Sequence, residues 1–146
     1  MDDQALDKDG IIKALDLEKH PEGGYYRRTY VADVTYDSSS RKTASAIYFL
    51  MEEGAPSFWH RTGADELWFW HAGAAMELEY AAVGAEPSST ILGVDLHAGQ
   101  RPQLTISGDL WQRAKSLGDW SLVSCTVTPE FLFDQFEMVK DPDWMP

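Results

Sequence analysis

The sequence predicts an all-β fold, a sandwich or barrel, preceded by one short helix. Short runs of aliphatic and aromatic residues alternate with polar residues at the two-residue period of a half-buried strand. Turns that contain Gly, Pro, Ser and Asp separate these runs at fairly regular intervals, which is typical of sandwiches and barrels. The length of 146 residues fits one domain, so we expect residues 1–146 to form a single unit with a flexible terminus at 1–10.

The helix is predicted near the amino terminus. Asp9 could cap a helix over residues 11–17, in which Ile11 and Leu15 fall on one face. Pro21 ends this segment, because the residue before a proline is pushed out of the α region.

Eight further runs are predicted as strands, and the first of them follows the Gly23-Gly24 turn. Segment 131–139 stays open between helix and strand, because its apolar spacing does not decide between them. The eight runs are residues 25–31, 44–51, 57–61, 65–72, 76–83, 90–96, 103–107 and 120–127.

The charge balance argues against two classes of partner. The chain carries 24 acidic and 12 basic residues, a formal net charge of −12. Nucleic acids and anionic membranes bind to clustered Lys and Arg, and no basic run here is longer than Arg27-Arg28. No apolar run approaches the roughly 18 residues of a membrane span. We therefore expect no nucleic-acid and no membrane partner.

Cysteine usage and the amino terminus point to a cytoplasmic protein. Cys125 is the only cysteine, which excludes an intrachain disulfide and a paired-cysteine metal site. The acidic start at residues 1–4 lacks the positive and then apolar layout of a secretory signal.

The central candidate site is a predicted hairpin of residues 57–61 and 65–72. With a three-residue loop, His60 would face Glu66 directly, at a Cβ separation of about 4.5–5.5 Å. Strand alternation would continue this face through Trp68 and Trp70. The sequence thus predicts an imidazole and a carboxyl group that meet beside two indole rings.

Such a pair has two interpretations. Burial raises the pKa of a carboxyl group and lowers that of a histidine, whereas their mutual attraction does the opposite. A pair balanced in this way could exchange a proton with a ligand and act as a base with its orienting partner. The alternative is a buried His60–Glu66 ion pair without a catalytic role.

The spacing of Gly54, His60, Glu66 and Gly73 resembles the first motif of the cupin proteins. Longer runs resemble a group of small single-domain cupins known as domain of unknown function 985. These runs are HPEGGYYR at 20–27, AIYFL at 46–50, HR at 60–61, DELW at 65–68 and LVSCTVTPEF at 122–131. The resemblance implies a double-stranded β-helix, or jelly roll, that assembles as a homodimer, and it brings no settled reaction.

Two departures from the cupin pattern bear on metal binding. The resemblance implies two histidines and a glutamate in the first motif, and this chain has Thr62 at the second histidine. The histidine of the second motif is replaced by Trp111. Catalytic zinc sites generally use three protein ligands, so we expect no resident cofactor. A divalent metal, if present, would be held by His60, Glu66 and Gln112.

Three functions are consistent with these residues. The first, by analogy with epimerases of the superfamily, is a metal-independent isomerase or epimerase, with His60 as base, Glu66 as its orienting group, and Tyr25 or Tyr48 as proton donor. The second is a module that binds a small polar metabolite without converting it. The third is a metal-dependent oxygenase or lyase. The expected substrate-binding residues are Tyr25, Arg27, Tyr48, Trp68, Trp70 and Gln112.

Two further expectations concern the surface. The aromatic first strand could pair with the same strand of a second copy, because jelly rolls leave sheet edges open. His20 is expected in a solvated loop, and His71 is expected on the outer face of its strand.

Overall fold

The computed structural model describes residues 6–146, which form two antiparallel sheets and one short helix. Helix α1 spans Lys8–Ala14. Two 3-10 turns lie at Leu96–Ala98 and Phe133–Gln135. The strands are β1 Glu18–Lys19, β2 Tyr25–Val31, β3 Ser45–Glu52, β4 Trp59–Arg61, β5 Asp65–Gly73, β6 Met76–Ala81, β7 Ser88–Leu92, β8 Gln103–Ile106, β9 Trp111–Ser116, β10 Trp120–Thr128 and β11 Glu137–Val139.

The two sheets face each other and make a jelly-roll barrel. The large sheet has the order β1-β2-β3-β10-β5-β8, and the small sheet has the order β11-β4-β9-β6-β7. Consecutive strands repeatedly change sheet, which is how a jelly roll closes around one interior. The predicted all-β fold with a short amino-terminal helix is confirmed.

Helix α1 begins earlier than the sequence predicts. Asp7, not Asp9, is the cap, and its side chain accepts a hydrogen bond of 2.8 Å from the Gly10 amide. The helix ends at Ala14, and Asp16 follows with a positive φ of 54°. Residues 1–5 of the predicted flexible terminus lie outside the described residues. Across 6–146, no helix has the length and apolar character needed to cross a bilayer.

The predicted hairpin between residues 57–61 and 65–72 is wrong. Strand β4 belongs to the small sheet, where it pairs with β9 and β11, whereas β5 belongs to the large sheet and pairs with β10 and β8. His60 therefore lies opposite Gln112 on β9, not opposite Glu66. The longer apolar strand β10 offers β5 eight paired positions, which the short strand β4 could not match.

The turn between β4 and β5 carries the chain from one sheet to the other. The Thr62 hydroxyl donates to the Ala64 carbonyl at 2.9 Å and accepts from the Ala64 amide at 3.2 Å, which closes the turn on itself. Gly63 has a φ of 69°, and the Gly108 amide donates to the Asp65 carboxylate at 3.0 Å. This turn fixes where His60 and Glu66 enter the interior.

Three observed strands were not predicted. β1 and β11 are only two and three residues long. β9 contains Gln, Arg and Lys, and its inward residues Gln112, Ala114 and Ser116 are small or polar, so it lacks the apolar alternation of a typical strand. The open segment 131–139 becomes a 3-10 turn followed by β11.

The apolar residues form two clusters, one on each side of the large sheet. The first lies between the sheets and includes Phe49, Trp68, Leu78 and Val123. The second lies under α1 on the outer face of the large sheet and centres on Leu50. Strand β3 is therefore apolar on both faces, because α1 covers the outer one.

The close approach of Gly108 to the turn between β4 and β5 leads to a prediction about stability. A Cβ on Gly108 would lie 2.6–2.8 Å from the backbone of Ala64, so Gly108→Ala forces the two segments apart. We expect a loss of about 2–3 kcal/mol in the free energy of unfolding. A Cβ on Gly63 meets nothing within 4 Å, so Gly63→Ala carries only its left-handed backbone penalty of about 1 kcal/mol. Urea denaturation measures both, and equal losses would contradict this packing.

Candidate functional site

A cavity of about 400 Å³ lies between the two sheets. Its buried end is polar and is formed by side chains of β4, β5 and the loop before β2. Its walls include Phe49 and Trp68 of the large sheet, and its exposed end is bordered by Arg27 and Arg28 of β2. A pocket that combines apolar walls with a few convergent polar groups is the usual form of a small-molecule site.

The buried end is built around a contact between His60 and Glu22. His60 Nε2 lies 3.0 Å from Glu22 Oε2, and the two side chains are only 2% and 6% exposed. The other ring nitrogen, His60 Nδ1, lies 2.9 Å from the carbonyl oxygen of Phe58. Both nitrogens of the imidazole are therefore engaged.

These two contacts determine how many protons the pair holds. A carbonyl oxygen can only accept, so His60 Nδ1 must carry a hydrogen and donate it to Phe58. A second proton then lies between His60 Nε2 and Glu22 Oε2, bound to one or the other. The pair is either a neutral imidazole with a protonated Glu22 or an imidazolium with a carboxylate.

Burial decides between the two forms. Burial lowers the pKa of His60 from 6.5 to about 4. Burial, with a contribution from the Glu66 carboxyl, also raises the pKa of Glu22 well above its usual range. Both shifts favour the uncharged form, because the poorly hydrated interior disfavours either charge. The resting pair is a protonated Glu22 that donates to a neutral His60.

The chain places Glu22 here through a tight turn. The His20 amide donates to the Gly24 carbonyl at 2.9 Å, and the Gly23 amide donates to the His20 carbonyl at 3.0 Å. The Glu22 carbonyl then accepts the Phe58 amide at 2.9 Å, which ties the turn to the segment before β4. Glu22 was not among the predicted site residues, although it lies in the run that carried the resemblance.

Gly24 is the residue that lets this turn approach the sheet. A Cβ there would lie 2.7 Å from the Leu50 carbonyl and 2.8 Å from Met51 Sδ, and its φ is 78°. Only glycine meets both conditions without strain. In the sequence, the Gly23-Gly24 pair was the signal of a tight turn against the sheet, and Glu22 precedes that pair directly.

The expectation that His20 is solvated is wrong. His20 is buried, and its Nδ1 accepts the Glu22 amide at 3.1 Å. Burial, with the nearby His60, lowers the pKa of His20 to about 3. Its ring contacts five aromatic rings, at centroid distances of 4.7–6.2 Å. They belong to Tyr26, Phe49, Phe131, Phe133 and Phe136.

Glu66 lies on the large sheet as a second buried carboxyl group of the cavity wall. Its Oε1 accepts a hydrogen bond of 2.6 Å from Gln112 Nε2, and the Trp68 indole donates to Gln112 Oε1 at 3.0 Å. The indole can only donate, so it fixes the orientation of the Gln112 amide. Burial raises the pKa of Glu66 to about 7, although the hydrogen bonds from Gln112 and Cys125 oppose the shift.

The structure therefore separates the two residues that the sequence paired. His60 and Glu66 both line the cavity, but they lie on facing sheets, and the carboxyl partner of His60 is Glu22. Gln112 pairs with His60 in the small sheet and bonds to Glu66 in the large one, so it stands between them.

The other predicted binding residues are divided between two faces. Tyr25 and Tyr48 pack in the outer cluster under α1 and do not reach the cavity. Arg27 borders the exposed end, where it donates to Asp16 at 2.9 Å. Trp68 forms a wall of the cavity, whereas Trp70 packs against the barrel core and donates to the Ala74 carbonyl.

The predicted face of β2 was the wrong one. Tyr26 and Arg28, not Tyr25 and Arg27, lie on the same side as Phe49 and Ile47, their partners on β3. Because β3 is apolar on both faces, alternation could not show which of its faces is internal.

The carboxyl-terminal segment covers one side of the cavity. Phe131, Phe133 and Phe136 line it, and Phe131 and Phe136 lie 5.2 Å apart between ring centroids. The Phe131 amide donates to Ser45 Oγ at 3.0 Å, and Glu137 pairs with Arg61. We call residues 131–136 the aromatic cover. The ambiguous apolar spacing of this segment gave no sign of this role.

The residues at the cupin metal positions do not fit a resident metal. The Thr62 hydroxyl is used within its own turn, and Trp111 packs outside the barrel against Trp144. Of the retained positions, His60 has its Nε2 against Glu22, and both amide atoms of Gln112 are hydrogen-bonded. Among the side chains of residues 6–146, no cluster of three or more His, Cys, Asp or Glu could hold a metal ion.

The facing antiparallel sheets and the polar cavity between them define a cupin-type barrel. The chain belongs to the cupin superfamily, because the family model described as Cupin superfamily (DUF985) matches residues 9–139. The resemblance carried by the sequence motifs is thereby confirmed. No curated protein matches the chain.

Solved structures agree with this assignment. A protein from Shewanella oneidensis is 40% identical, with a TM-score of 0.87 over 92% of this chain and 85% of its own. A hypothetical protein from Leishmania major is 28% identical, with a TM-score of 0.84 over 92% of this chain and 88% of its own. An oxalate decarboxylase from Lactobacillus farciminis, solved as a formate complex, is 13% identical, with a TM-score of 0.59 over 86% of this chain and 34% of its own, and shows the fold alone.

The raised pKa of Glu66 predicts how the free energy of unfolding depends on pH. Its pKa rises from 4.5 to about 7 on folding, so the folded state binds more protons than the unfolded state within this window. The free energy of unfolding therefore falls as the pH rises through it. In Glu66→Gln this contribution is absent, so wild type should lose up to about 3 kcal/mol relative to the variant.

Urea denaturation of both proteins at a series of pH values between 4.5 and 7 measures this difference. Parallel stability curves for wild type and Glu66→Gln would show that Glu66 ionises at its ordinary pKa in the folded protein.

Proposed function

We propose that the protein binds a small polar metabolite in the barrel cavity and moves a proton on it without a metal, as an isomerase or epimerase does. The observation that carries this proposal is the buried contact of 3.0 Å between His60 Nε2 and Glu22 Oε2 at the cavity wall. A carboxyl group with a strongly raised pKa beside a neutral imidazole is a typical acid–base arrangement.

Glu22 is the group that would contact the substrate. Both nitrogens of His60 are engaged, by Phe58 and by Glu22. Glu22 Oε1 has no hydrogen-bond partner among the described residues, and Glu22 lines the cavity. His60 is then the proton reservoir of Glu22, held in its tautomer by Phe58.

The step can be written with every proton accounted for. Glu22 Oε1 takes a proton from a carbon next to a substrate carbonyl, while the proton on Oε2 passes to His60 Nε2. The electron pair of the broken C–H bond moves onto the carbonyl oxygen and gives an enolate. The imidazolium that forms donates to Phe58 and to Glu22, which stabilises its charge.

Glu66 supplies the second proton carrier. It lies on the facing sheet, and a pKa of about 7 leaves it partly protonated near neutral pH. Donation to the same carbon from the opposite side inverts that centre. In a substrate with a hydroxyl on that carbon, the hydroxyl proton passes to the enolate oxygen, and donation by Glu66 to the former carbonyl carbon completes an isomerisation. In this proposal Glu66 is the proton donor, in place of Tyr25 or Tyr48, which lie outside the cavity.

Exchange with solvent tests the proposal. Small sugars, sugar phosphates and 2-hydroxy acids are incubated with the protein in D2O, and loss of C–H signals is followed by proton NMR. We expect exchange in at least one compound, and a fall of about 100-fold or more in Glu22→Gln and His60→Asn. His71→Asn is the matched control, because His71 is exposed and bonds Ser124. Exchange at the wild-type rate in Glu22→Gln would contradict the role of Glu22.

A second candidate is binding without conversion, and the aromatic cover favours it. Its rings and Trp68 offer flat apolar surfaces against which a ligand could stack, whatever the proton carriers do. A compound that raises the melting temperature but exchanges no hydrogen over long incubation would support this candidate over the enzyme.

We also propose that the protein is a homodimer. Strand β1 pairs only with Tyr25 and Tyr26, so residues 27–31 of β2 leave an open and largely exposed sheet edge. Such edges readily pair with a second copy. Light scattering should give twice the mass of 16.4 kDa, and Tyr30→Glu, which places a charge on this edge, should give the monomer. A monomeric wild type would contradict the proposal.

A further inference from the structure

The charged side chains at the exposed end of the cavity differ in how closely they are paired with an opposite charge. Arg27 donates to Asp16 at 2.9 Å, whereas Glu18, which borders the same end, forms no ion pair with any of residues 6–146. Arg28 has no carboxylate at hydrogen-bond distance within the described part of the chain; Glu130, the nearest in ion-pair range, lies 3.7 Å away. Of the two arginines that border the cavity, Arg28 is thus the less closely compensated cation.

The Glu130 carboxylate is shared between two groups. Its Oε1 accepts the Lys42 amide at 2.7 Å, its Oε2 is the atom that lies 3.7 Å from Arg28, and its side chain is only 9% exposed. Arg28 Nη2 donates to the Phe131 carbonyl, which holds the guanidinium at the edge of the aromatic cover. Arg28 Nε makes no hydrogen bond to any of residues 6–146, so the planar donor group retains free donors.

Arg28 lies on the face of β2 that borders the cavity. Arg28 pairs with Ile47 and lies on the same face of β2 as Tyr26, and all three residues line the cavity. A guanidinium with free N–H groups matches the two oxygens of a carboxylate. The overall charge of −12 would otherwise repel an anion, so a local cation is needed to hold one.

The buried end disfavours an anionic group. Glu22 and Glu66 are both carboxyl groups there, and Glu66 would repel a second carboxylate whenever it is ionised. The exposed end offers the cation of Arg28, so an acid in this cavity is best placed with its carboxylate outward at Arg28 and its uncharged end inward. Between the two ends, the aromatic cover offers the faces and edges of Phe133 and Phe136 to the body of the ligand.

We propose that the cavity takes a small carboxylic acid with a planar, ring-shaped or unsaturated body, whose carboxylate binds Arg28 and whose uncharged polar end reaches Glu22. The inference rests on the proposed function and names the class of its ligand. It replaces Arg27, the arginine expected from the sequence, with Arg28 as the residue that determines specificity.

A matched pair of probes tests this. Benzoate and benzamide have the same shape but differ in charge, and their dissociation constants are measured by titration of 15N-labelled protein in NMR. In wild type we expect benzoate to bind about ten-fold more tightly or better, because a charge-assisted hydrogen bond to Arg28 is lost in the amide. In Arg28→Gln the ratio should fall to about one.

Arg27→Gln is the control variant and should keep the wild-type ratio, since Arg27 is already paired with Asp16. The ratio within each variant is independent of its stability, so a less stable Arg28→Gln protein still gives an answer. Equal binding of the two probes to wild type, or a retained preference in Arg28→Gln, would overturn the inference alone. Failure of both probes to shift any cavity resonance would also overturn the inference, whereas the proposed function is overturned separately by the exchange experiment in D2O.

Discussion

The hydrogen bond between His60 Nδ1 and the Phe58 carbonyl determines the chemistry of this barrel. It fixes one proton on Nδ1, leaves Nε2 as an acceptor, and thereby requires Glu22 to hold the proton between them. A poorly hydrated interior keeps the pair uncharged at rest. In the proposed function the pair becomes charged when a ligand proton moves, so that it acts as an acid and base as well as a packed contact.

The fold brings these groups together from distant parts of the chain. Glu22 comes from a turn closed by Gly23 and Gly24, His60 comes from the small sheet, and Glu66 comes from the large sheet. The Thr62–Ala64 turn sends the chain from one sheet to the other, so a single short segment supplies opposite walls of the cavity. Gln112 joins the walls by pairing with one and donating to the other.

Alternation and turn composition were sufficient to predict the fold class and most strands, because most strands keep one apolar face. They failed for β9, whose inward side chains are small or polar, and for the faces of β2 and β3, where α1 makes the outer side apolar as well. Spacing arguments paired His60 with Glu66, its neighbour in sequence. The true partner, Glu22, is placed by a backbone hydrogen bond to Phe58 that no local pattern encodes.

The protonation state of His60 is the most direct test of this account. In 15N NMR spectra, with the signal assigned by comparison with His60→Asn, the account predicts a hydrogen on Nδ1 and none on Nε2 from about pH 5 to about pH 8. The midpoint of ring protonation should lie near pH 4. A hydrogen on Nε2 in the neutral ring, or a titration midpoint near the ordinary value of 6.5, would contradict it.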